Sequence, residues 1–271
     1  MARPRADLMA VVERSPAAVA AHDRAAWLAL FSEDAVVEDP VGSPPAPKRD
    51  GTLGRFYDAF IAPHEIHFEI RGDHVLGDDV FRDAIIHTTV RRGVNVDVPA
   101  YLLYQVAERG GGLYARRMAA HWQLSGMVGL AVSLGPRAWV AMTVLFAGML
   151  RHLGVGWVAG YLASLWRTVG RRGVALAAGL ADALARRDAA ALGQLFEPGA
   201  VVELGERTVS PAALLEALPP GTRLGIDAPV CAGWTVSFRF TLEGAAPARG
   251  LALLEVSEQS GRLTRARFFP A

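Results

Sequence analysis

An internal repeat determines how this chain can fold. Residues 21–38 align without a gap on residues 186–203, and nine of the eighteen positions are identical. The spacing of 165 residues is far longer than the unit of a solenoid, so the repeat predicts two copies of one domain. A chain of 271 residues has room for two such domains of about 100 to 130 residues, each with its own core.

The two copies differ at the position that follows their shared Val-Val-Glu end. The first copy has Asp39 there, and the second copy has Leu204. Asp39 opens a turn rich in Pro and Gly, residues 39–45, directly after a short predicted strand that ends at Glu38. A duplication that keeps the scaffold and loses the ionisable group predicts chemistry in the first copy and only a structural role for the second.

Composition narrows the class of protein. A formal net charge of +1 gives no electrostatic reason to expect nucleic acid as a partner. The single cysteine, Cys231, excludes an internal disulfide or a multi-cysteine metal site and fits a reducing compartment. Residues 6–21 are interrupted by charges and by Pro16, so they lack the apolar core of a signal peptide. We therefore expect a cytoplasmic protein, either free or peripheral to a membrane.

The spacing of apolar residues predicts helices first and strands afterwards. Residues 7–31 have a helical pattern, with Ser15 and Pro16 as an N-cap pair or a kink and Asp23 as a second N-cap. A short strand and a short helix follow, and from His64 onward apolar and polar residues alternate with period two. The elements predicted after residue 31 are strands at 36–38, from 64, at 80–91, 94–108 and 113–124, and a helix at 51–60. Helices followed by antiparallel strands indicate an α+β fold, and residues 174–271 repeat this order.

Four motifs of the first copy occur together in one known group of proteins. They are the helical opening, the Val-Glu-Asp-Pro-x-Gly-x-Pro-Pro turn at 37–45, the Phe56-Tyr57 pair and the Ala-His-Trp122 end of the last strand. With these motifs the chain resembles the ketosteroid isomerases, members of the SnoaL-like, nuclear transport factor 2-like (NTF2-like) superfamily of cone-shaped α+β barrels. The resemblance implies a ketosteroid isomerase-like domain at 7–124 and a degenerate second NTF2-like domain at 174–271. Each would be a curved antiparallel sheet with helices, and an apolar helical linker at 125–172 would join them.

The resemblance also implies a catalytic base. In that family the aspartate of the turn moves a proton from one carbon of a 3-oxo-Δ5-steroid to another through a dienolate, and Asp39 is the residue that matches it. Such a carboxylate must be ionised and poorly solvated, so a cavity that raises its pKa toward the working pH makes it a stronger base. Ketosteroid isomerase is itself a known example of this tuning. The implied function is a steroid isomerase-like enzyme of lipid metabolism that needs no cofactor.

The groups that would hold the dienolate oxygen differ from those of the family. Ser15 and Leu102 stand where the resemblance places a tyrosine and a protonated aspartate. Tyr57 matches a supporting tyrosine and is the first candidate for a hydrogen-bond donor to the oxygen, as a catalytic residue beside Asp39. Three further candidates for this donor are Tyr101, Tyr104 and His121.

Other residues are candidates for binding substrate. Trp122 and Met118 match apolar pocket positions of the family, and ordinary core packing is the alternative for both. For His87 the alternative is a hydrogen-bonded structural role. His64 and His67 do not have the spacing of a zinc signature, so we predict no metal site. The remaining residues expected to bind substrate are Phe56, Tyr101, Leu102 and His121.

Three classes of function stay open. The first is an isomerase that acts on a lipophilic small molecule, either a steroid or a polyketide-like enone. The second is an epoxide hydrolase or cyclase on the same fold, which would need a second carboxyl group beside Asp39, whereas Glu38 points to the other face of its strand. The third is a non-catalytic carrier of lipophilic small molecules, because one fold hosts many functions.

The segment between the copies is apolar and is interrupted by cations. Its apolar runs, at 124–136, 138–150 and 153–166, are each 13 or 14 residues long, whereas a bilayer span takes about 20. One predicted helical face carries Trp139, Met142, Phe146, Met149 and Leu153, and another carries Trp157, Tyr161 and Leu165.

This pattern leaves three interpretations of the linker. It predicts a helical hairpin packed on the domains or in a dimer interface, a membrane-surface lid at 137–167, or a transmembrane hairpin. We also expect a dimeric arrangement, either a homodimer of two chains or an intramolecular pseudo-dimer of the two domains.

Overall fold

Each copy of the repeat forms one six-stranded sheet with helices, so the prediction of two tandem α+β domains is confirmed. The computed structural model describes residues 3–90, 94–126 and 136–271. These divide into a first unit, Met1–Asp73 with Asp78–Trp166, and a second unit, His74–Gly77 with Arg167–Ala271.

The first unit begins with helices and continues with six strands in the spatial order β2-β1-β6-β5-β4-β3. Its helices are α1 (Arg5–Ala20), α2 (Arg24–Ala29), α3 (Thr52–Phe56) with a π-helical segment (Tyr57–Ile61), α4 (Pro136–Leu153) and α5 (Val155–Ala163). Its strands are β1 (Phe31–Glu38), β2 (Ala46–Pro47), β3 (Glu65–Leu76), β4 (Asp79–Val90), β5 (Val94–Arg109) and β6 (Gly112–His121).

The second unit repeats this order, with strands arranged β8-β7-β12-β11-β10-β9. Its helices are α6 (Gly170–Arg186), α7 (Ala189–Leu195) and α8 (Leu214–Ala217). Its strands are β7 (Phe196–Leu204), β8 (Arg207–Val209), β9 (Arg223–Ala232), β10 (Thr235–Glu243), β11 (Ala248–Val256) and β12 (Leu263–Pro270).

The first helix differs from its prediction at Ser15 and Pro16. Helix α1 runs through both residues, so they are neither an N-cap pair nor a break. Burial of one face of α1 against the sheet outweighs the backbone hydrogen bond that Pro16 cannot donate. The second predicted cap is confirmed: the Asp23 carboxylate accepts a hydrogen bond of 2.9 Å from the Ala26 amide at the start of α2.

The sheets are mixed, which corrects the prediction of purely antiparallel strands. Strand β1 pairs with β6 in parallel, and β7 pairs with β12 in parallel, while the other pairings whose register the structure describes are antiparallel. Parallel neighbours need a long connection between them, and the helices and strands between β1 and β6 supply it. An alternating apolar pattern indicates on which face of the sheet a residue lies, but not whether the neighbouring strand runs parallel or antiparallel.

The repeat is preserved in three dimensions, position by position. Val37 lies opposite Met118 in the first sheet, and its counterpart Val202 lies opposite Ala266 in the second. Both sheets have a β-bulge at the same place, after Gln105 and after Glu255 in the fifth strand of each copy. The ion pair of each copy is also shared: Arg117 donates to Glu38 at 2.8 Å, and Arg265 donates to Glu203 at 2.9 Å.

The linker contributes helices α4 and α5 to the first unit. Helix α4 packs on α3 and on the π-helical segment, with Met149 fully buried. Trp139 was predicted on the same face, but it lies about 80° around the helix from Met149 and is 62% exposed. Much of the first predicted apolar run, 124–136, lies outside the described residues. Of the helices that the structure describes, none is long and apolar enough to cross a membrane.

Candidate active site

Asp39 stands where β1 ends and the chain turns. The peptide bond between Asp39 and Pro40 is cis, and Gly42 adopts a φ of 94°, which favours glycine. The amide of Val41 donates a hydrogen bond of 2.9 Å to the Ala120 carbonyl on β6. The backbone of the turn is therefore tied to the neighbouring strand, and the position of the carboxylate is fixed.

The Asp39 carboxylate is enclosed by protein and has a raised pKa. The Trp122 indole N–H donates to its Oδ1 atom at 2.5 Å. Burial raises the pKa of Asp39 to about 6, against the opposing effect of this hydrogen bond. The residue as a whole is half-buried, and burial of its carboxylate is the largest influence on its pKa. A carboxylate of this kind is largely ionised at pH 7 and can accept a proton.

We expect Asp39→Asn to stabilise the first unit at neutral pH. The folded-state pKa of about 6 exceeds the unfolded value of about 3.9. The stability that this group contributes is therefore complete below about pH 4 and is lost as the pH rises through 6. Two pKa units correspond to about 3 kcal/mol, and asparagine cannot ionise. Urea unfolding should show the variant up to about 3 kcal/mol more stable than wild type at pH 8 and equal to it at pH 4.

The matched control for this measurement is Glu38→Gln, one residue earlier on the opposite face. Glu38 is paired with Arg117, so its replacement should give no stabilisation at pH 8. A gain for Asp39→Asn of the same size at both pH values would contradict ionisation of Asp39 as the cause.

Several side chains share the face of the sheet that carries Asp39, which we call the inner face. Strand register places Leu102 opposite Ala120 and Tyr104 opposite Met118, and Met118 lies opposite Val37, two residues before Asp39. Since side chains alternate along a strand, Leu102, Tyr104, Met118 and Trp122 lie on the inner face with Asp39. Leu102 and Met118 were predicted to bind substrate, and they stay predictions in this position.

Tyr101 and His121 lie on the other face. They are directly opposite each other in register, one residue out of phase with Leu102 and Ala120. Both are buried, and burial lowers the pKa of His121 to about 3. Because neither shares the face of Asp39, we leave both out of the proposed site.

Tyr104 lies on the inner face, and the charge of Asp39 acts on it. Its hydroxyl is hydrogen-bonded to Ser15 of α1 and lies deep in the domain. Burial raises the pKa of Tyr104, and the negative charge of Asp39 acts in the same direction. The phenol therefore stays protonated and is available as a donor. Ser15, at the position where the family has a tyrosine, thus has a tyrosine from β5 as its partner.

Tyr57 has a different environment. Its ring packs against Trp27, with 5.4 Å between ring centroids, and the side chain is buried. Burial raises the pKa of Tyr57, and the charged groups that act on it are Asp23, Arg24 and Asp58 rather than Asp39. Its buried hydroxyl has no hydrogen-bond partner in the described part of the chain. Its role as a hydrogen-bond donor to the dienolate oxygen stays a prediction, and Tyr104 is now the first candidate for that role.

Helix α5 adds an aromatic cluster beside the site. From the sequence, the aromatic residues of α5 were assigned only to the linker. Trp157 and Tyr161 stack at 5.5 Å between centroids, and Phe60 lies within 5.9 Å of both rings. Phe56, predicted to bind substrate, completes this aromatic cluster at 4.7 Å from Phe60. Burial and the negative charge of Asp39 both raise the pKa of Tyr161, so α5 reaches the surroundings of Asp39.

One close approach and one buried donor describe how α5 meets the site. A Cβ atom on Gly160 would lie 2.5 Å from the Cγ atom of Pro44 in the Asp39 turn, so only glycine permits this packing. The Trp157 indole N–H is buried and, among the described residues, has no hydrogen-bond partner. The sequence predicted that Trp157 and Tyr161 share one helical face, but it did not indicate which residues that face packs against.

His87 lies among charged side chains rather than with Asp39. Its Nδ1 atom is 2.8 Å from an Asp97 oxygen, Glu69 is also within ion-pair distance, and its ring stacks on His67. This is the hydrogen-bonded structural role that was its alternative, so we leave His87 out of the proposed site. Within the described ranges, no group of three or more metal-ligating side chains is arranged to hold a metal ion.

The polar side chains of the inner face have apolar counterparts in the second domain. The repeat and the strand registers make five positions equivalent. The pairs are Ser15 and Leu180, Asp39 and Leu204, Arg82 and Phe238, Tyr104 and Leu254, and Trp122 and Pro270. Leu180, Phe238 and Leu254 are fully buried in the core of the second domain. The second domain therefore has an apolar core where the first has its candidate site.

The first domain is similar to one protein family and to several solved structures. Residues 12–126 match the family model of the SnoaL-like domain, and no curated protein matches the chain. RV0760c from Mycobacterium tuberculosis, solved in complex with estradiol-17beta-hemisuccinate, is 25% identical with a TM-score of 0.40, over 44% of this chain and 95% of that one. The Δ5-3-ketosteroid isomerase from Mycobacterium sp. is 23% identical, with the same TM-score and coverage.

A further solved structure is SalBIII, described as an epoxide hydrolase/cyclase-like enzyme in pyran ring formation of the polyether salinomycin. It is 19% identical with a TM-score of 0.39, over 44% of this chain and 92% of that one. The first domain is thus similar to the SnoaL-like domain and carries an enclosed carboxylate. The second domain repeats its strand order.

Proposed function

We propose that the first domain is an isomerase that moves a proton between two carbons of a lipophilic enone, with Asp39 as the base. The observation that carries the proposal is an enclosed carboxylate at a fixed turn whose pKa, raised by burial to about 6, lies close to working pH. A base with such a pKa is mostly ionised at pH 7 and still binds a proton strongly enough to remove it from carbon.

The reaction proceeds in two proton transfers. The Asp39 carboxylate takes a proton from the carbon next to the substrate carbonyl, and the electron pair of that C–H bond moves toward the oxygen to form a dienolate. The Asp39 carboxyl group then returns the proton to the far carbon of the diene, and the carbonyl reforms. Tyr104, kept protonated by burial, donates a hydrogen bond to the dienolate oxygen, where negative charge develops. No external oxidant or reductant is needed.

The surroundings of Asp39 favour an extended apolar substrate. Leu102 and Met118 share the inner face with Asp39, and the aromatic cluster adjoins it through α5. The buried indole N–H of Trp157 would find an acceptor in a second oxygen at the far end of the ligand. A steroid or a polyketide-like enone with oxygens at both ends has this chemistry.

The two other classes of function are supported less well. An epoxide hydrolase would need a second carboxyl group, but Glu38 bonds Arg117 on the opposite face. Asp73, whose charge reaches Tyr104, is already bound by Arg82 through two hydrogen bonds. A carrier is the second candidate, because the unpartnered Trp157 N–H and the aromatic cluster suit ligand binding without any chemistry.

One experiment separates the isomerase from the carrier. The wild-type protein is incubated with a 3-oxo-Δ5-steroid in D2O, and the conjugated enone is followed by absorbance and deuterium incorporation by mass spectrometry. The proposal requires both signals to appear faster than in buffer. Ligand binding by calorimetry without any proton exchange would contradict the isomerase and leave the carrier.

We expect Tyr104→Phe to lower kcat by about 10²-fold in this assay. The change removes one hydroxyl group that would stabilise the dienolate oxygen, and loss of a single oxyanion donor has costs of this order. Tyr57→Phe is the matched control, because it removes a buried hydroxyl that Asp39 does not reach, and it should lower kcat less. A larger loss for Tyr57→Phe than for Tyr104→Phe would reverse our assignment of the donor.

A further inference from the structure

Helix α4 presents an exposed face that is almost entirely apolar. At 100° per residue, seven exposed positions fall within about 140° of arc, and we call them the α4 outer face. They are Trp139, Val140, Thr143, Val144, Ala147, Leu150 and Arg151. Trp139 is 62% exposed and Leu150 is 46% exposed. An exposed apolar strip of this length on one helix indicates an interaction surface.

The two polar side chains of the α4 outer face, Thr143 and Arg151, leave its surface mainly apolar. The Thr143 hydroxyl donates a hydrogen bond of 2.9 Å to the Trp139 carbonyl one turn earlier, so it needs no external partner. Arg151 lies at the end of the helix, and its long side chain can place its charge beyond the apolar strip. The opposite face of α4, which includes Met149, is buried in the first unit.

The chain segment that contains α4 and α5 carries only positive charge in its sequence. It has no Asp or Glu between Glu108 and Asp182, and Arg137 and Arg151 flank the apolar residues of α4 within the first unit. An apolar strip within a purely cationic segment matches a bilayer surface with anionic headgroups, where arginines meet the headgroups and tryptophan and aliphatic side chains enter the boundary of the acyl chains. Val155 at the start of α5 and Trp166, three residues after α5, are also exposed apolar side chains, at 75% and 77%.

A second copy of the chain fits this face less well. A two-fold symmetric interface places the same patch of both subunits together, so the arginines would meet arginines without an acidic partner in the segment. We propose that the α4 outer face docks the protein onto an anionic lipid surface, with α4 lying in the plane of the interface. This docking does not depend on the activity of Asp39.

The test is co-sedimentation with two kinds of vesicle. One is phosphatidylcholine alone, and the other contains roughly 30 mol% phosphatidylglycerol as the anionic lipid. Wild-type protein should bind the anionic vesicles, with binding weakened by added salt, and should bind the neutral vesicles less. The double variant Trp139→Ser with Leu150→Ser should lower the partition coefficient about tenfold or more, because it removes the two largest apolar side chains of the face. Arg151→Glu should lower binding to anionic vesicles about fivefold or more.

Ile70→Ser on β3 is the matched control, because it removes an apolar side chain that is 37% exposed outside this segment, and it should bind as wild type does. Quenching of wild-type tryptophan fluorescence by brominated lipids tests the docking without any variant. Equal partitioning of the double variant and wild type, or absence of both vesicle binding and quenching, would overturn the proposal. A concentration-dependent dimer that the double variant abolishes, without vesicle binding, would assign the face to a second copy and overturn it too.

Discussion

Asp39→Asn should reduce turnover of a 3-oxo-Δ5-steroid by about 10²- to 10⁴-fold, which is the usual contribution of a general base. Asparagine has nearly the same size and can still accept the hydrogen bond from Trp122, but it cannot take a proton from carbon. Ligand affinity should therefore stay nearly unchanged while kcat falls. Steady-state kinetics together with calorimetric titration of an unreactive steroid would measure both.

The pH profile of the wild-type protein gives an independent check of this base. Because the burial-raised pKa of Asp39 is about 6, kcat/KM should fall as the pH drops through 6 and should level off above about 7, where the carboxylate is ionised. The control variant Glu38→Gln should keep this profile, since Glu38 lies on the opposite face of β1 and is paired with Arg117. Full activity of Asp39→Asn, or a rate that does not change between pH 5 and 7, would remove Asp39 as the base.

Asp73→Ala should lower the free energy of unfolding of the first unit by about 3 to 5 kcal/mol. The Arg82 guanidinium is 1% exposed and donates to both Asp73 oxygens, at 2.7 Å from Nε and 3.0 Å from Nη2. Without Asp73, and among the described ion pairs, this buried cation keeps only the one with Glu13 of α1, which also accepts from Nη2. Urea unfolding read by peptide-resolved hydrogen exchange reports the two units separately and would measure the loss.

Glu13→Ala is the control for this variant, because it removes the other partner of the same cation. Glu13 is 55% exposed, and exposed ion pairs contribute about 1 kcal/mol or less. Removal of Glu13 should therefore cost far less than removal of Asp73. Equal costs for the two variants would mean that the burial of Arg82 does not determine the stability of this network.

Much of the fold was predictable from the sequence because the repeat carries local signals in both copies. The Asp23 N-cap and the turn after Glu38 each depend on residues that are close in the chain. Strand β1 begins at Phe31, five residues before the strand predicted at 36–38. The parallel pairing of β1 with β6 was missed because direction is set by the connection between strands and not by the alternation within them.

The candidate site was predictable only in its base. The turn aims Asp39 by local geometry, whereas Tyr104 meets Ser15 across α1 and β5, and such a tertiary contact leaves no trace in spacing. Tyr101 and His121 were placed with Asp39 although a shift of one residue along a strand changes the face. Trp157 and Tyr161 were recognised as one helical face, but their approach to Asp39 depends on how α5 packs against Pro44.

The apolar counterparts of the inner face make the second domain a natural control for the first. The architecture itself requires the features that both copies keep. Examples are the N-caps at Asp23 and Asp188 and the ion pairs of Glu38 and Glu203. What only the first copy has is an enclosed acid and the polar groups around it, which a fold selected for stability alone would discard. The repeat thus separates the residues that build the fold from those that surround the carboxylate.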